Sequence, residues 1–371
     1  MGTAKAYETK TGRLYRARWY NPEGRREEKW GFPTKREAED FVASQRVRIT
    51  RGEYIEGNAG KATVAALGKE WLAAQTRLKP SYHRTLESTW RVHVLPRWGT
   101  VQIGRIRHSA VRDWIAELSE ARGPSTVLRA HGILAAILDN AVADRMLSSN
   151  PARGIKNLPR KQTKRHPYLT HTQVELLASH SRQHETLVRF LAYTGLRWGE
   201  ATGLRVQDFE PLRRRVFVTE NAVAVGGEII VGTPKTHEAR TVPVPAFLIE
   251  GLSRLCAGKR RNQLLFGGGD DHLRSPDSRR GWYVAAIREA QKADPLFPRL
   301  TIHDLRHTAA SLAVSAGANV KAVQRMLGHK SAAMTLDVYA DLFDDDLDAV
   351  GTALDLAWAG ANGGLKGGKA V

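Results

Sequence analysis

A multidomain protein, mainly α with small β-sheets, is the fold class this sequence predicts, and three observations carry the expectation. The chain has 371 residues, too many for one average domain at about 150 residues each. Hydrophobic residues make up 42% and charged residues 26%, enough apolar material to build ordinary cores. Most of the length repeats apolar residues at helical spacing, and strand-like alternation is confined to short stretches.

The elements follow in order. Gly12 to Tyr20 alternates basic and apolar residues, Asn21-Pro22-Glu23-Gly24 reads as a turn, and Glu27 to Phe32 as a return strand. Thr34 then caps a helix, with Glu37 completing a capping box and Ala38, Phe41 and Val42 as its apolar side. Gly52 to Lys61 holds several glycines without apolar periodicity and reads as a linker. Beyond it, Val64/Leu67/Trp71/Leu72, Tyr82/Leu86/Trp90, Val111/Trp114/Ile115/Leu118 and Leu134/Ile137/Leu138/Val142 form helical stripes that read as core. Asn150-Pro151 ends this bundle, and a basic connector runs through Arg160-Lys161-Gln162-Thr163-Lys164-Arg165. The remainder is mostly helical, interrupted by strand-like 215–218 and 240–244, and residues 360–371 form a Gly-rich tail expected to be disordered.

Charge narrows the function. Lys and Arg number 57 against 38 Asp and Glu, a net +19, which points to a polyanionic partner. Residues 61–165 alone carry 19 basic against 7 acidic residues, so the excess is concentrated as a phosphate-docking face would be. Candidate DNA contacts are Arg84, Arg91, Arg105, Arg107 and Arg129 on the bundle, Lys161, Lys164 and Arg165 on the connector, and Arg13, Arg16 and Arg18 on the N-terminal strand. Strict alternation does not put the last three on one face, and a purely structural hairpin stays open there. The single cysteine, Cys256, excludes an internal disulfide framework and a Cys-rich zinc module. The first ten residues lack the apolar core of a signal peptide, and no apolar run approaches the ~20 residues of a membrane span, so a soluble intracellular protein is expected.

Four segments carry the chemistry. They are Tyr193-Thr194-Gly195-Leu196-Arg197-Trp198-Gly199-Glu200, then Thr233-Pro234-Lys235-Thr236, then His303-Asp304-Leu305-Arg306-His307-Thr308, and Leu327-Gly328-His329-Lys330 leading to Tyr339. In the order Arg, Lys, His-x-x-Arg, His, Tyr they closely resemble the tyrosine recombinase family, and within it the integrases of temperate actinobacterial phages and integrative elements. The motifs span roughly 165–345.

The resemblance implies an N-terminal three-stranded sheet plus helix binding arm-type DNA (1–60), a helical core-binding, SAM-like bundle (61–155), a basic linker (156–167), and a mixed, mostly helical catalytic domain (168–359). It implies DNA cutting and rejoining through a 3′-phosphotyrosyl intermediate and a Holliday junction, without metal or cofactor. Arg197 and Arg306 would clamp the nonbridging phosphate oxygens, because a guanidinium is planar, bidentate and always charged. Tyr339 would be the nucleophile, His303 its proton acceptor, His329 a hydrogen-bond donor to the phosphate, and Lys235, on a hairpin turn, the acid for the leaving 5′-oxygen. Expected partners are double-stranded DNA with core-type and arm-type attachment sites, a homotetramer on that DNA, a host DNA-bending protein and an excisionase. The expected place is the nucleoid of a bacterial cytoplasm.

Each residue also has a plainer reading. Arg197 can pair with Glu200 on its own helix, Lys235 can be a solvated turn residue, His329 can open a helix, and Tyr339 can be a surface tyrosine. His303 and His307 stand four apart, as in zinc-binding helices, but Arg306 would then place a fixed cation beside the metal. Asp344-Asp345-Asp346 suits a helix start better than a metal site. A type IB topoisomerase would share the chemistry, and a non-catalytic basic DNA-binding protein would explain the charge while leaving the order of motifs to coincidence. After Tyr339, Leu347, Val350, Leu354 and Trp358 recur at helical spacing, as for a terminal helix packed on its own domain or on a neighbour.

Overall fold

The computed structural model describes residues 2–52, 54–55, 58–161, 166–233, 239–339, 351–352 and 354–359. Lys164, Arg165, Lys235, the three aspartates 344–346, Leu347, Val350 and the Gly-rich tail lie outside them. The chain forms two compact units, residues 1–163 and 164–371.

The first unit opens with an antiparallel sheet, β1 (Thr3–Thr9), β2 (Gly12–Tyr20) and β3 (Arg26–Phe32), in that spatial order. β1 is mostly polar and carries little signal of its own; its partner β2 holds it from Thr3↔Arg18 to Thr9↔Gly12. Helix α1 (Lys35–Thr50) starts where Thr34 Oγ1 accepts from the Glu37 N–H at 3.2 Å, and Ala17, Trp19 and Ala38 close a small core. Tyr54 joins that core, 5% exposed, with the Trp19 indole N–H donating to its hydroxyl at 3.3 Å. The segment expected to be a linker from Gly52 thus begins as part of the N-terminal core.

The bundle comprises α2 (Val64–Ala73), α3 (Pro80–Thr89), α4 (Leu95–Trp98), α5 (His108–Ala121) and α6 (Pro124–Ala143). Between α3 and α4 the chain makes a π-helical turn, Trp90–Val94, in which the Leu95 N–H reaches back to Trp90 O. Pro96 explains it: the ring has no N–H and crowds the preceding turn, and one wide turn absorbs the conflict. The expected stripes form the core, except that Tyr82 is 50% exposed and Val142, half-buried, lies outside the core cluster. Helix α6 corrects one expectation. Its 20 residues have the length and composition of a membrane span, but nine of them are buried, with Ile133, Leu134, Ile137 and Leu138 at the centre of the bundle.

The second unit runs α7 (His171–Ser179), α8 (Glu185–Thr194), α9 (Trp198–Gly203), β4 (Phe209–Glu210), β5 (Arg215–Val218), β6 (Asn221–Val225), β7 (Glu228–Gly232), β8 (Arg240–Pro243), α10 (Ala246–Cys256), β9 (Gly267–Gly268), β10 (Asp271–His272), α11 (Trp282–Ala293), α12 (Asp304–Ser315), α13 (Val320–Leu327) and α14 (Ala332–Tyr339). Its core gathers Phe190, Leu191, Leu196, Val216, Val242 and Leu305. The two strand-like segments pair directly, Val216 opposite Val242, in a sheet of order β4-β5-β8. Between them lies a hairpin that the sequence pattern does not reveal, β6 with β7, turning at Gly226 and Gly227, both at positive φ. The hairpin turn expected at Lys235 falls outside the described residues. The strands that flank it, β7 and β8, pair with different partners and do not form one hairpin.

Gly68 of α2 faces the Trp90 indole, and a Cβ there would overlap the six-membered ring. Gly68→Ala exchanges a helix-propensity gain of about 1 kcal/mol for an overpacking cost of about 1–3 kcal/mol. A net loss of stability is expected in urea unfolding followed by tryptophan fluorescence; a gain would mean that the indole yields freely.

Candidate active site

Two helix ends face each other in the second unit. Helix α8 stops at Gly195 and α13 at Gly328, each in the left-handed region at φ 65°, where glycine carries no steric penalty. The turns touch: a Cβ on Gly195 would lie 2.6 Å from Leu327 Cδ2. Arg306, on the first turn of α12 and 3% exposed, spans them, with Nη1 donating to Gly195 O and Nη2 to Leu327 O, both at 2.6 Å. Carbonyls at a helix C-terminus lack intrahelical partners and carry partial negative charge, so a buried guanidinium is well placed there.

Glu200 lies beneath Arg197 and is fully buried. Its carboxylate accepts from the Arg197 backbone N–H at 3.0 Å and from Arg197 Nη1 at 2.9 Å, capping α9 at its N-terminus. The plainer reading of Arg197 is thus realised, and it is compatible with phosphate binding because one donor of five is engaged on the carboxylate and the side chain stays 24% exposed. Arg240 of β8 grips the same carboxylate with two bonds, Nη1 to Oε1 at 3.1 Å and Nη2 to Oε2 at 2.7 Å. Burial alone would raise the Glu200 pKa, but Arg240 and Arg197 overcome it and hold the group at about 2.

The histidines are kept neutral. His303 is the N-cap residue of α12, three before Arg306. Its pKa is lowered by desolvation first, then by Arg306 and Arg197 against an opposing pull from Asp304. His329 follows Gly328, and its Nδ1 lies 2.9 Å from the hydroxyl of Thr335 on α14. Desolvation, then Arg306, Arg197 and Arg240, push its pKa down to about 4. Both imidazoles sense the same two arginines, so Arg197, His303, Arg306 and His329 share one electrostatic neighbourhood. Tyr339 closes α14 four residues after Thr335; its backbone is described, its side chain is not.

His166, Asp304 and His307 bring ligand-type atoms within 4.8 Å of one another. The imidazoles of His166 and His307 stack at 3.8 Å with planes 17° apart, so their nitrogen lone pairs run side by side instead of converging on one point. Asp304 Oδ1 meets His166 Nδ1 at 3.4 Å, while Oδ2 accepts from the Thr301 N–H and hydroxyl. As packed, the trio is a stacked, hydrogen-bonded support for the start of α12.

The phage integrase family matches residues 167–345, and the phage integrase central domain matches 64–158. The chain belongs to the phage integrase family. It is similar to an integrase of Mycobacterium phage D29, 28% identical over 323 residues, 82% of this chain and 83% of the relative. Its fold is that of the Tn1549 transposon integrase solved with a circular intermediate DNA (TM-score 0.66, 21% identity, covering 75% of this chain and 94% of the other). The lambda integrase tetramer bound to a Holliday junction shares it as well (TM-score 0.57, 15% identity, 89% and 93%). This integrase is accordingly a tyrosine site-specific recombinase.

The structure sorts the basic residues of the integrase. Arg84, Arg91, Arg105 and Arg107 are exposed and Arg129 is half-buried, and none of the five forms an ion pair among the described residues. Lys161 is exposed. On the N-terminal sheet, Arg18 pairs with Glu28 at 2.7 Å, and Arg16 lies 3.7 Å from Glu28 with its guanidinium 4.5 Å from the Trp30 ring centre. Arg13 stays largely exposed, 4.0 Å from Glu8. Three arginines with no motif around them, Arg279, Arg288 and Arg299, line a pocket of about 790 Å³ together with His303. Glu200 has a faint sequence signal, an acid three residues after a helix-capping position. Arg240 has none.

Replacing Glu200 by Gln leaves Arg197 and Arg240 without their buried counter-charge, which costs about 3–5 kcal/mol. A carboxylate whose folded pKa is depressed contributes stability that is complete above its unfolded value, about 4.3, and lost as the pH falls toward the folded value of about 2. Wild-type stability should therefore decline between about pH 4.5 and 2, and the Glu200→Gln protein should lose this part of the slope in urea titrations over pH. An unchanged slope and midpoint would show that the carboxylate is not held by its arginines.

Proposed function

We propose that this integrase breaks and rejoins DNA at defined attachment sites with Tyr339 as nucleophile. The observation that best supports the reading is the convergence of Arg197, His303, Arg306 and His329 around two helix ends, with His329 bonded to the helix that ends in Tyr339.

The chemistry follows from the charges. The Tyr339 phenol has an ordinary pKa of about 10 and needs an acceptor, and a neutral His303 takes its proton as the oxygen attacks phosphorus. Negative charge grows on the nonbridging oxygens, where Arg197, Arg306 and a His329 N–H hold it. The bond to the 5′-oxygen breaks, and Lys235 donates the proton that the leaving oxygen needs. The product is a 3′-phosphotyrosyl link and a free 5′-hydroxyl; attack by a 5′-hydroxyl from the partner duplex reverses the steps and restores the phosphodiester. Bond energy is conserved, so no external energy source is required.

The organisation extends the proposal. The sheet domain with Arg13 exposed reads arm-type sites, the bundle arginines and the connector hold the core-site backbone, and Arg279, Arg288 and Arg299 add phosphate contacts beside His303. Four copies exchange strands through a Holliday junction, as the lambda integrase tetramer is arranged on one. A host DNA-bending protein and an excisionase set direction, and the reaction takes place on the bacterial nucleoid. A circular or phage-borne element is the substrate class, in keeping with the Mycobacterium phage and Tn1549 relatives.

Two variants test the roles. Tyr339→Phe keeps the ring and loses the attacking oxygen, so gel-shift binding to attachment-site DNA should persist while plasmid recombination disappears; recombination at the wild-type rate would refute the assignment. Arg306→Lys keeps the charge and loses the fork that joins two helix ends, and recombination should fall on the order of 10²–10³-fold. Full activity of the lysine variant would show that the fork is dispensable.

A further inference from the structure

Arg240 occupies a position that no motif assigns. Its side chain is 10% exposed, and it makes three separate attachments. Two bonds hold Glu200, which in turn holds the backbone and guanidinium of Arg197. A third runs from Nε to Met326 O at 3.2 Å, at the end of α13. The side chain also packs flat against Gly328, where a Cβ would lie 2.9 Å from Arg240 Nε and 3.0 Å from Cδ and Cζ. Gly328 immediately precedes His329, and Arg240 and His329 line the same cleft. Arg240 is also the first residue of β8, the strand that follows Lys235 in the chain.

We propose that Arg240 is a positioning residue for strand cleavage. It registers the Arg197 helix, the His329 turn and the start of β8 against one another through a single guanidinium. Arg306 already joins two helix ends through Gly195 O and Leu327 O, and Arg240 adds a second, parallel strut through Glu200 and Met326 O. Two struts remove the rotation that one would leave free, and small errors of placement at a transition-state clamp carry large rate penalties. Gly328 is required for the second strut because any side chain there displaces the guanidinium. Lysine cannot replace the arginine, since one ammonium cannot hold both carboxylate oxygens and the Met326 carbonyl in the planar arrangement.

The proposal rests on the recombinase reading, so the readout is covalent adduct formed in one turnover on a nicked duplex carrying the attachment site, and wild-type adduct is the control that separates the two. Arg240→Lys should lower the adduct rate about tenfold or more at saturating DNA, with gel-shift affinity near wild type when assayed well below the variant's own thermal midpoint, where it is folded. Gly328→Ala, which keeps Arg240 and displaces it, should reproduce the rate loss. In Arg240→Lys the His329 ring, titrated by NMR, should also change pKa because the charge beside it moves. Wild-type adduct rates in either variant would overturn the proposal. So would a rate loss that merely follows a matching loss of DNA affinity or of folded protein in both variants.

Discussion

The second unit is organised around one buried carboxylate. Glu200 has no access to solvent and no low-energy alternative to its two arginines, so wherever it sits, Arg197 and Arg240 must sit beside it. That requirement ties the start of α9 to β8 and, through Arg240, to the end of α13. A buried ion pair of this kind is weak evidence for stability by itself. Here its value lies in placement: it fixes Arg197 and Arg240 relative to each other and, through Arg240, relative to the end of α13 just before His329.

The same arrangement explains the state of the histidines. A cluster of guanidiniums raises the cost of any further positive charge, and desolvation adds to it, so His303 and His329 are neutral at pH 7. A neutral imidazole can accept a proton from a phenol, whereas an imidazolium cannot. Binding of a DNA phosphate would offset the arginine charges and raise the affinity of both rings for a proton at the moment when transfer is needed. In the proposed mechanism the cations would serve twice, as a clamp for the phosphate and as the field that keeps the acceptor neutral in the free enzyme.

Much of the site is legible in the amino-acid sequence alone. Arg197, His303, Arg306, His329 and Tyr339 are separated by fixed stretches of chain, and a motif order survives whatever the fold does. The helical stripes are legible because 3.6-residue periodicity is local. What escapes the sequence depends on distant partners. β1 is held by β2 and not by its own composition, Tyr54 is drawn out of a glycine-rich stretch by Trp19, and the β6–β7 ribbon hides between two stronger strand signals. Arg240 is the clearest case. One arginine in a chain with 57 basic residues has no local mark, and its importance appears only when Glu200, Met326 and Gly328 are seen around it. Arg16 and Arg18 show the converse, since cations that read as free in the sequence are paired with Glu28 in the sheet.

The central claim is that the clamp serves a tyrosine on α14, and mass spectrometry of the covalent adduct tests it most directly. The integrase would be reacted with nicked attachment-site DNA in EDTA, digested with nuclease and trypsin, and searched for a peptide carrying a nucleotide. Trypsin releases residues 331–366 as one fragment in which Tyr339 is the single tyrosine. A 3′-nucleotide on that fragment, bound through Tyr339, is the predicted result. A nucleotide on another peptide, or cleaved DNA with free ends that forms only when a divalent metal is restored, would contradict the account.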